Sequence, residues 1–405
     1  MVRRPAMYLL RVVITNCYRR RSTLSRRLPT VMSALALLLA TPHAAGKTAP
    51  VITSVSGTLA QGAVLTIVGF GFGKKSPAKP YLWAPMTKSL KPSPLGVIKS
   101  WASIAQLAYQ NGCGPAPGTG CAAGTPSDGV HANRWTAAIY SPSHYSASGK
   151  DWNSYGQRTY VYRKSKKTFS YYGDPTKNVK DIRIWGTSRS QFLTYPDFAF
   201  GVWNGRVGAE YVPRNGPLDY TMPPAKLRIA QGPVNKWYSE EFEIASNSGP
   251  TTADGDFRLA VDGGPWLCHF PNRQWEENTL TLKAPRGYRG DGTMKILYPI
   301  HMVVESGGPW VPTAAGSQYF AADVYVDTTW ARVMIGNSPD FTRATDREIE
   351  IPFQWNDDHI RVYENINSFP RRQPMYLFVV DAKGHASSGY PLVAGPHLRP
   401  INTTQ

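Results

Sequence analysis

The chain has 405 residues, enough for two or three domains with well-buried cores. Its 36 Gly, 34 Pro and 12% aromatic residues, with no long Leu/Ala/Glu/Lys runs and no internal repeat, argue against a helical bundle, a solenoid or a propeller and favour a turn-rich β protein. A formal net charge of +18 suits a polyanionic neighbour, though a positive surface also serves solubility alone.

Residues 1–46 carry Arg3, Arg4, Arg11, Arg19, Arg20, Arg21, Arg26 and Arg27 and no acid. The apolar stretch VMSALALLLA (31–40) that follows is too short to span a bilayer. Ala44-Ala45-Gly46 then suits cleavage before Lys47. A basic segment, a short apolar core and small residues together predict a secretory signal peptide, hence export to the periplasm, the cell surface or the medium. A membrane anchor is the competing reading, and a start at Met32 would shorten the leader. Eight of the +18 charges lie in this leader, so the remainder stays basic.

Residues 50–73, PVITSVSGTLAQGAVLTIVGFGFG, predict a strand, a turn, a second strand and a Gly-rich turn. The glycine spacing suggests a nucleotide-binding loop, but Gly73-Lys74-Lys75-Ser76-Pro77 would break the helix that such a loop requires. Two strands alone are not a stable unit. Further alternating segments lie near the other end of the chain: 330–337, 347–364 and 375–393, with turns at Asn356-Asp357-Asp358 and Asp381-Ala382-Lys383-Gly384.

Pro50, Ile52, Val55, Gly62, Leu65, Ile67, Gly69, Gly71, Phe72 and Gly73 resemble the opening of an IPT/TIG domain, an immunoglobulin-like β-sandwich, and the C-terminal segments resemble its ending. The resemblance implies one sandwich, 47–82 plus 324–396, split by an insertion at 83–323 and followed by a tail at 397–405. Chain insertion at a loop tip is tolerated where its ends lie close together. The alternative is two separate, atypical Ig-like domains. Phe72 is expected to plug the end of the sandwich.

Within the insert, WASIAQLA (101–108) predicts a short helix. Cys113 and Cys121 bracket a Gly/Pro-rich span and predict a disulfide in an exported protein, leaving Cys268 as a small buried residue. The basic run Arg163, Lys164, Lys166, Lys167 reads as a hairpin tip. Strands are predicted at 158–161, 181–185, 198–203, 237–244, 255–263, 294–304 (with Pro299 at a bulge or edge) and 322–326. Asn235-Lys236-Trp237, Asp254-Gly255 and Asp323 to Asp327 resemble concanavalin A-like jelly-roll modules of secreted bacterial proteins. The fold class expected is therefore all-β, an Ig-like sandwich interrupted by a jelly roll.

Glycosidases on that fold carry carboxylates two residues apart on one strand. Glu241/Glu243 and Glu348/Glu350 have that spacing, the second pair alternating with Ile349 and Ile351 as on a solvated strand face. A polysaccharide lyase needs Arg, Asn or Gln for the uronate carboxylate and Tyr or His for proton transfer. Tyr298, His301, Arg183, Arg258 and His269 are of those types, although the lyase family's own strand motifs are missing. For glycan binding without catalysis, aromatic rings stack on sugars, and Arg183, Trp185, Tyr195, Trp203 and Trp266 are the candidates. No metal-binding spacing, nucleophile elbow or cofactor motif occurs, and no motif supports a structural calcium. The expected function is non-catalytic binding of a polysaccharide or acidic glycan. The alternatives are a polysaccharide lyase or glycoside hydrolase and a purely structural surface or adhesion protein. Neither a nucleic-acid partner nor an integral membrane protein is expected.

Overall fold

A computed structural model describes residues 49–124, 134–140, 156–169, 178–186, 197–203, 206–212, 232–245, 248, 256–264, 266, 268–269, 294–305, 317–370 and 373–392. In chain order the strands are β1 (Val51–Gly57), β2 (Val64–Phe70), β3 (Leu82–Ala84), β4 (Ser103–Ala105), β5 (Ala108–Gln110), β6 (Cys121–Gly124) and β7 (Arg134–Tyr140). They continue with β8 (Arg158–Lys167), β9 (Asn178–Gly186), β10 (Asp197–Trp203), β11 (Arg206–Val212), β12 (Tyr238–Ala245), β13 (Asp256–Val261) and β14 (Cys268–His269). The last are β15 (Met294–Glu305), β16 (Tyr319–Asp327), β17 (Arg332–Gly336), β18 (Arg347–Trp355), β19 (His359–Tyr363), β20 (Met375–Val380) and β21 (Tyr390–Leu392).

The first sheet runs β1-β2-β19-β18-β17-β20-β21 and joins the two ends of the described chain. Ile67 lies opposite Ile360 and Leu65 opposite Val362, all antiparallel. The apolar residues of each strand recur every second position, so one face collects Val55, Leu65, Ile67, Val333, Ile335, Val362 and Val379 into a core. Phe72 plugs that core at 1% exposure. Gly69 is required beside it, since a Cβ there would meet the Val51 carbonyl at 2.0 Å and the Phe72 ring at 2.6 Å. Beyond the glycines, Lys75 forms an ion pair with Asp327 at the end of β16, and Tyr325 donates to the same carboxylate.

Two further sheets form the jelly-roll sandwich. The second runs β14-β13-β12-β8-β16-β6-β5, with β3 also paired to β16, and the third runs β11-β10-β9-β15-β7-β4. Between them lie Val161, Phe242, Ile244 and Leu259 from the second sheet and Ile139, Ile182, Ile184, Leu297 and Ile300 from the third. The other face of the second sheet is also buried. There Trp83, Tyr160, Tyr162 and Tyr325 pack on Met334, Ile349 and Ile351 of the first sheet, around Trp330. The protein is thus all-β, and its second sheet is covered on both sides.

Strand pairing and packing account for three corrections to the sequence reading. Residues 101–108 form no helix: Ser103–Ala105 pairs with β7, and Gln106, at φ 56°, turns the chain into β5, which pairs with β6. The run at 163–167 is not a hairpin tip but the middle of β8, where Arg163 and Lys167 are 0% and 1% exposed. Glu348 and Glu350 are not on a solvated face; they are buried opposite Ile335 and Val333. In the two charged cases strands from distant parts of the chain supply the cover.

Candidate functional site

The outer face of the third sheet gathers Arg183, Tyr298 and His301. In β9, Ile182 and Ile184 point into the sandwich core, which puts Arg183 on the opposite face. In β15, Leu297 and Ile300 point inward, so Tyr298 and His301 share the outer face, although they are an odd three positions apart. A register shift between Tyr298 and Val303 makes this possible, and Pro299, which has no N–H for the ladder, lies within it. Tyr298 lies directly opposite Arg183 in the ladder. The Tyr298 and His301 rings are 4.7 Å apart, centre to centre, at 44°. Tyr298 is half-buried, whereas Arg183 and His301 sit deeper, at 6% and 3% exposure.

Arg163 holds this arrangement from behind. Its guanidinium, 0% exposed, donates to the Pro299 carbonyl (2.7 Å), the Asp181 carbonyl (2.8 Å), the Asp181 carboxylate (2.9 Å) and Glu240 (2.6 Å). One side chain of the second sheet therefore ties together the bulge in β15 and the stretch of β9 just before Arg183. Burial alone would raise the Glu240 carboxyl, but Arg163 and Lys167 hold it below its ordinary value. The sequence reading missed this tie between the sheets. The only signal was a cation on the core-facing parity of β8, level with Val161.

Glu241 and Glu243 share one face of β12, opposite Phe242, but this face is the buried contact with the first sheet. Both are 0% exposed. Glu241 accepts from Arg347 (2.7 Å) and from the Tyr160 hydroxyl (3.0 Å), while Glu243 pairs with Arg332 (2.8 Å) and Arg258 (3.0 Å). Burial pushes the Glu243 carboxyl up, against the pull of Arg332 and Arg258. Lys164 likewise pairs with Glu348, to which the Tyr162 hydroxyl donates at 2.9 Å. These carboxylates hold sheets together, and no substrate reaches them in this packing.

The remaining candidates are dispersed. Trp185 stands in β9 opposite Ile296 and Asp197, and Trp203 stands in β10 opposite Arg206; the side chains of both lie outside the described residues, as does the whole of Tyr195. Trp266 lines a hollow of about 400 Å³ with Pro339, Phe341, Thr342 and Gly384, among C-terminal residues and apart from the trio. Cys113 and Cys121 form the expected disulfide, with Cα atoms 5.5 Å apart. Cys268 and His269 are in β14, with side chains outside the described residues. Among the described residues, no group of three or more His, Cys, Asp or Glu is placed to hold a metal ion, and no helix is long and apolar enough to cross a membrane.

No protein-family model matches the chain, and no curated protein matches it. Among solved structures it is similar to the cellulose-induced protein Cip1 (TM-score 0.33, 9% identity, covering 57% of this chain and 90% of that one). It is also similar to the PL-14 alginate lyase from Aplysia kurodai (0.32, 12%, 55% and 87%) and to a GH131 β-glucanase catalytic domain from Podospora anserina (0.29, 9%, 62% and 90%). At this overlap and identity, the likeness assigns no family and no activity.

Proposed function

We propose that the protein is an exported polysaccharide-processing β-sandwich that holds a uronate-containing chain on the outer face of its third sheet and cleaves it by β-elimination. The observation that carries this reading is the placement of Arg183, Tyr298 and His301 on one sheet face, with Tyr298 opposite Arg183 and the His301 ring against it. The chemistry needs those three parts. Arg183 pairs with the uronate carboxylate, which withdraws charge from C5 and makes its proton more acidic. His301 takes the C5 proton as general base, and the Tyr298 hydroxyl gives its proton to O4 as the C4–O4 bond breaks. The C5–H electron pair becomes a C4=C5 double bond in the uronate ring that loses O4, which is left as a new non-reducing end, and O4 departs protonated on the other fragment, so the step consumes neither water nor cofactor. In this reading the first sheet is an IPT/TIG-type sandwich that carries the module, and the basic leader at 1–46 directs export.

The depth of Arg183 and His301 favours a second reading, capture of an acidic glycan without cleavage. One set of measurements separates the two. The full chain is incubated with alginate, glucuronan and polygalacturonate, and the absorbance of the conjugated unsaturated uronate is followed. Elimination predicts product from at least one polymer, loss of at least 100-fold in rate for Tyr298→Phe and His301→Ala, and a raised KM for Arg183→Ala. Retardation of a polymer in affinity electrophoresis without product leaves only the capture reading. The absence of both overturns the assignment to this face.

A further inference from the structure

A second site lies elsewhere, where the first sheet, the second sheet and the disulfide loop meet. A cleft of about 770 Å³ opens there, within the size range of small-ligand sites. Three aromatic side chains line it: Trp83 from β3, Tyr109 from β5 and Tyr363 from β19. Tyr109 is 36% exposed, with its hydroxyl donating to the Thr87 carbonyl at 3.1 Å and its ring lying over Gly120, where a Cβ would meet it at 2.3 Å. Polar groups converge on the same space from two elements. Asp323 comes from β16, held at φ 51° in a break of that strand's register, and Glu364 and Asn365 come from the loop after β19.

Two of these polar groups are unusually placed. Asn365 is 5% exposed and its Nδ2 has no hydrogen-bond partner among the described residues. Glu364 is 1% exposed; one carboxyl oxygen accepts from the Ala60 N–H, and the other, Oε1, has no partner. Leaving buried polar atoms without a partner is unfavourable. Both residues line the cleft, so a ligand entering it is the candidate partner for these atoms.

The lining selects the class of ligand. A divalent cation is disfavoured, because no metal-holding cluster exists among the described residues. A polyanion would find only Lys88 as a lining cation. Burial holds Asp323 near 7, with the Glu348 charge adding to the effect, and holds Glu364 near 8. Near neutral pH their carboxyls therefore also serve as hydrogen-bond donors. Aromatic faces with amides and carboxyls around them match the apolar faces and hydroxyl edges of a sugar ring. We propose that this cleft binds a neutral oligosaccharide, with Tyr109 stacking on a ring and Asn365 and Glu364 taking its hydroxyls. The site is separate from the uronate face and does not depend on that assignment.

Isothermal titration of the full chain with cellopentaose, xylopentaose, mannopentaose and maltopentaose tests it. At least one of the four is expected to bind, and Tyr109→Ala and Asn365→Leu each to weaken that binding tenfold or more. Arg183→Ala is expected to leave it unchanged, and the exposed Tyr109 makes its variant informative even if Asn365→Leu fails to fold. The proposal is overturned if none of the four binds. Binding that survives at wild-type strength in both cleft variants also overturns it, as does binding that is lost in Arg183→Ala.

Discussion

Replacing Arg332 with Met tests whether buried ion pairs clamp the second sheet to the first. Arg332 is 0% exposed, lies 2.8 Å from Glu243 and 3.6 Å from Glu241, and stacks 4.2 Å from the Tyr160 ring. Methionine keeps much of the side-chain volume but leaves two carboxylates one cation short. Removing one partner of a buried pair costs about 3–5 kcal/mol, because the other charge stays desolvated. Here Glu241 retains Arg347, and Glu243 retains Arg258, whose side chain is 19% exposed and so better solvated. The expected loss is therefore at the lower end, about 3 kcal/mol. Glu243→Gln in the same background should recover part of it, with a coupling of about 1–3 kcal/mol between the two sites. Guanidinium unfolding of the four proteins of the cycle, followed by tryptophan fluorescence and far-ultraviolet circular dichroism, measures both quantities. A loss below about 1 kcal/mol for Arg332→Met, or additivity within about 0.5 kcal/mol, would refute the clamp.

Trp330 fills the junction between β16 and β17, donating to the Thr159 and Ile244 carbonyls at 3.1 and 3.2 Å, with the Arg158 and Arg258 guanidinium groups 4.3 and 4.8 Å from its ring centre. Trp330→Ala is expected to lower unfolding free energy by about 3–5 kcal/mol, measured in the same denaturant assay. The Cys113–Cys121 disulfide closes a short loop, with a sequence separation of 8, and chain-entropy reasoning gives it about 2.5 kcal/mol. Reduction, or Cys113→Ser with Cys121→Ser, should cost no more than this and should loosen the loop beside the neutral-saccharide cleft, seen as faster amide exchange over 113–121. Glu364 has a folded-state value near 8, raised chiefly by burial, against an ordinary value of 4.5. The fold thus retains a proton that the unfolded chain has released, and the contribution of Glu364 to stability declines as pH rises from about 4.5 to 8 and is level above that. Glu364→Gln, which cannot ionise, should match the wild type near pH 5 and exceed it near pH 9; the opposite ordering would show that Glu364 is charged in the fold.

Alternation was legible wherever one strand face met a core. The Ile182-Arg183-Ile184 and Leu65-Thr66-Ile67 patterns state which side is inward, and Pro299 marks a break because it cannot donate to a ladder. The disulfide was legible because its partners are close in sequence. Buried charge was not legible. Arg163 and Lys164 look like solvent-seeking residues until Glu240, Asp181 and Glu348 arrive from other strands, and Glu348 and Glu350 look solvated until the rest of the fold covers them. The residue types of the Arg183–Tyr298–His301 group could be picked out in advance, but strand pairing and the register shift around Pro299 decided that they share one face. The cleft lined by Trp83, Tyr109, Asp323 and Glu364 draws on segments far apart in the chain, so no local pattern announces it. Periodicity records which way a side chain leaves its own strand; the partner that neutralises or covers it depends on pairing between segments far apart in the chain, and only the assembled sheets specify that pairing.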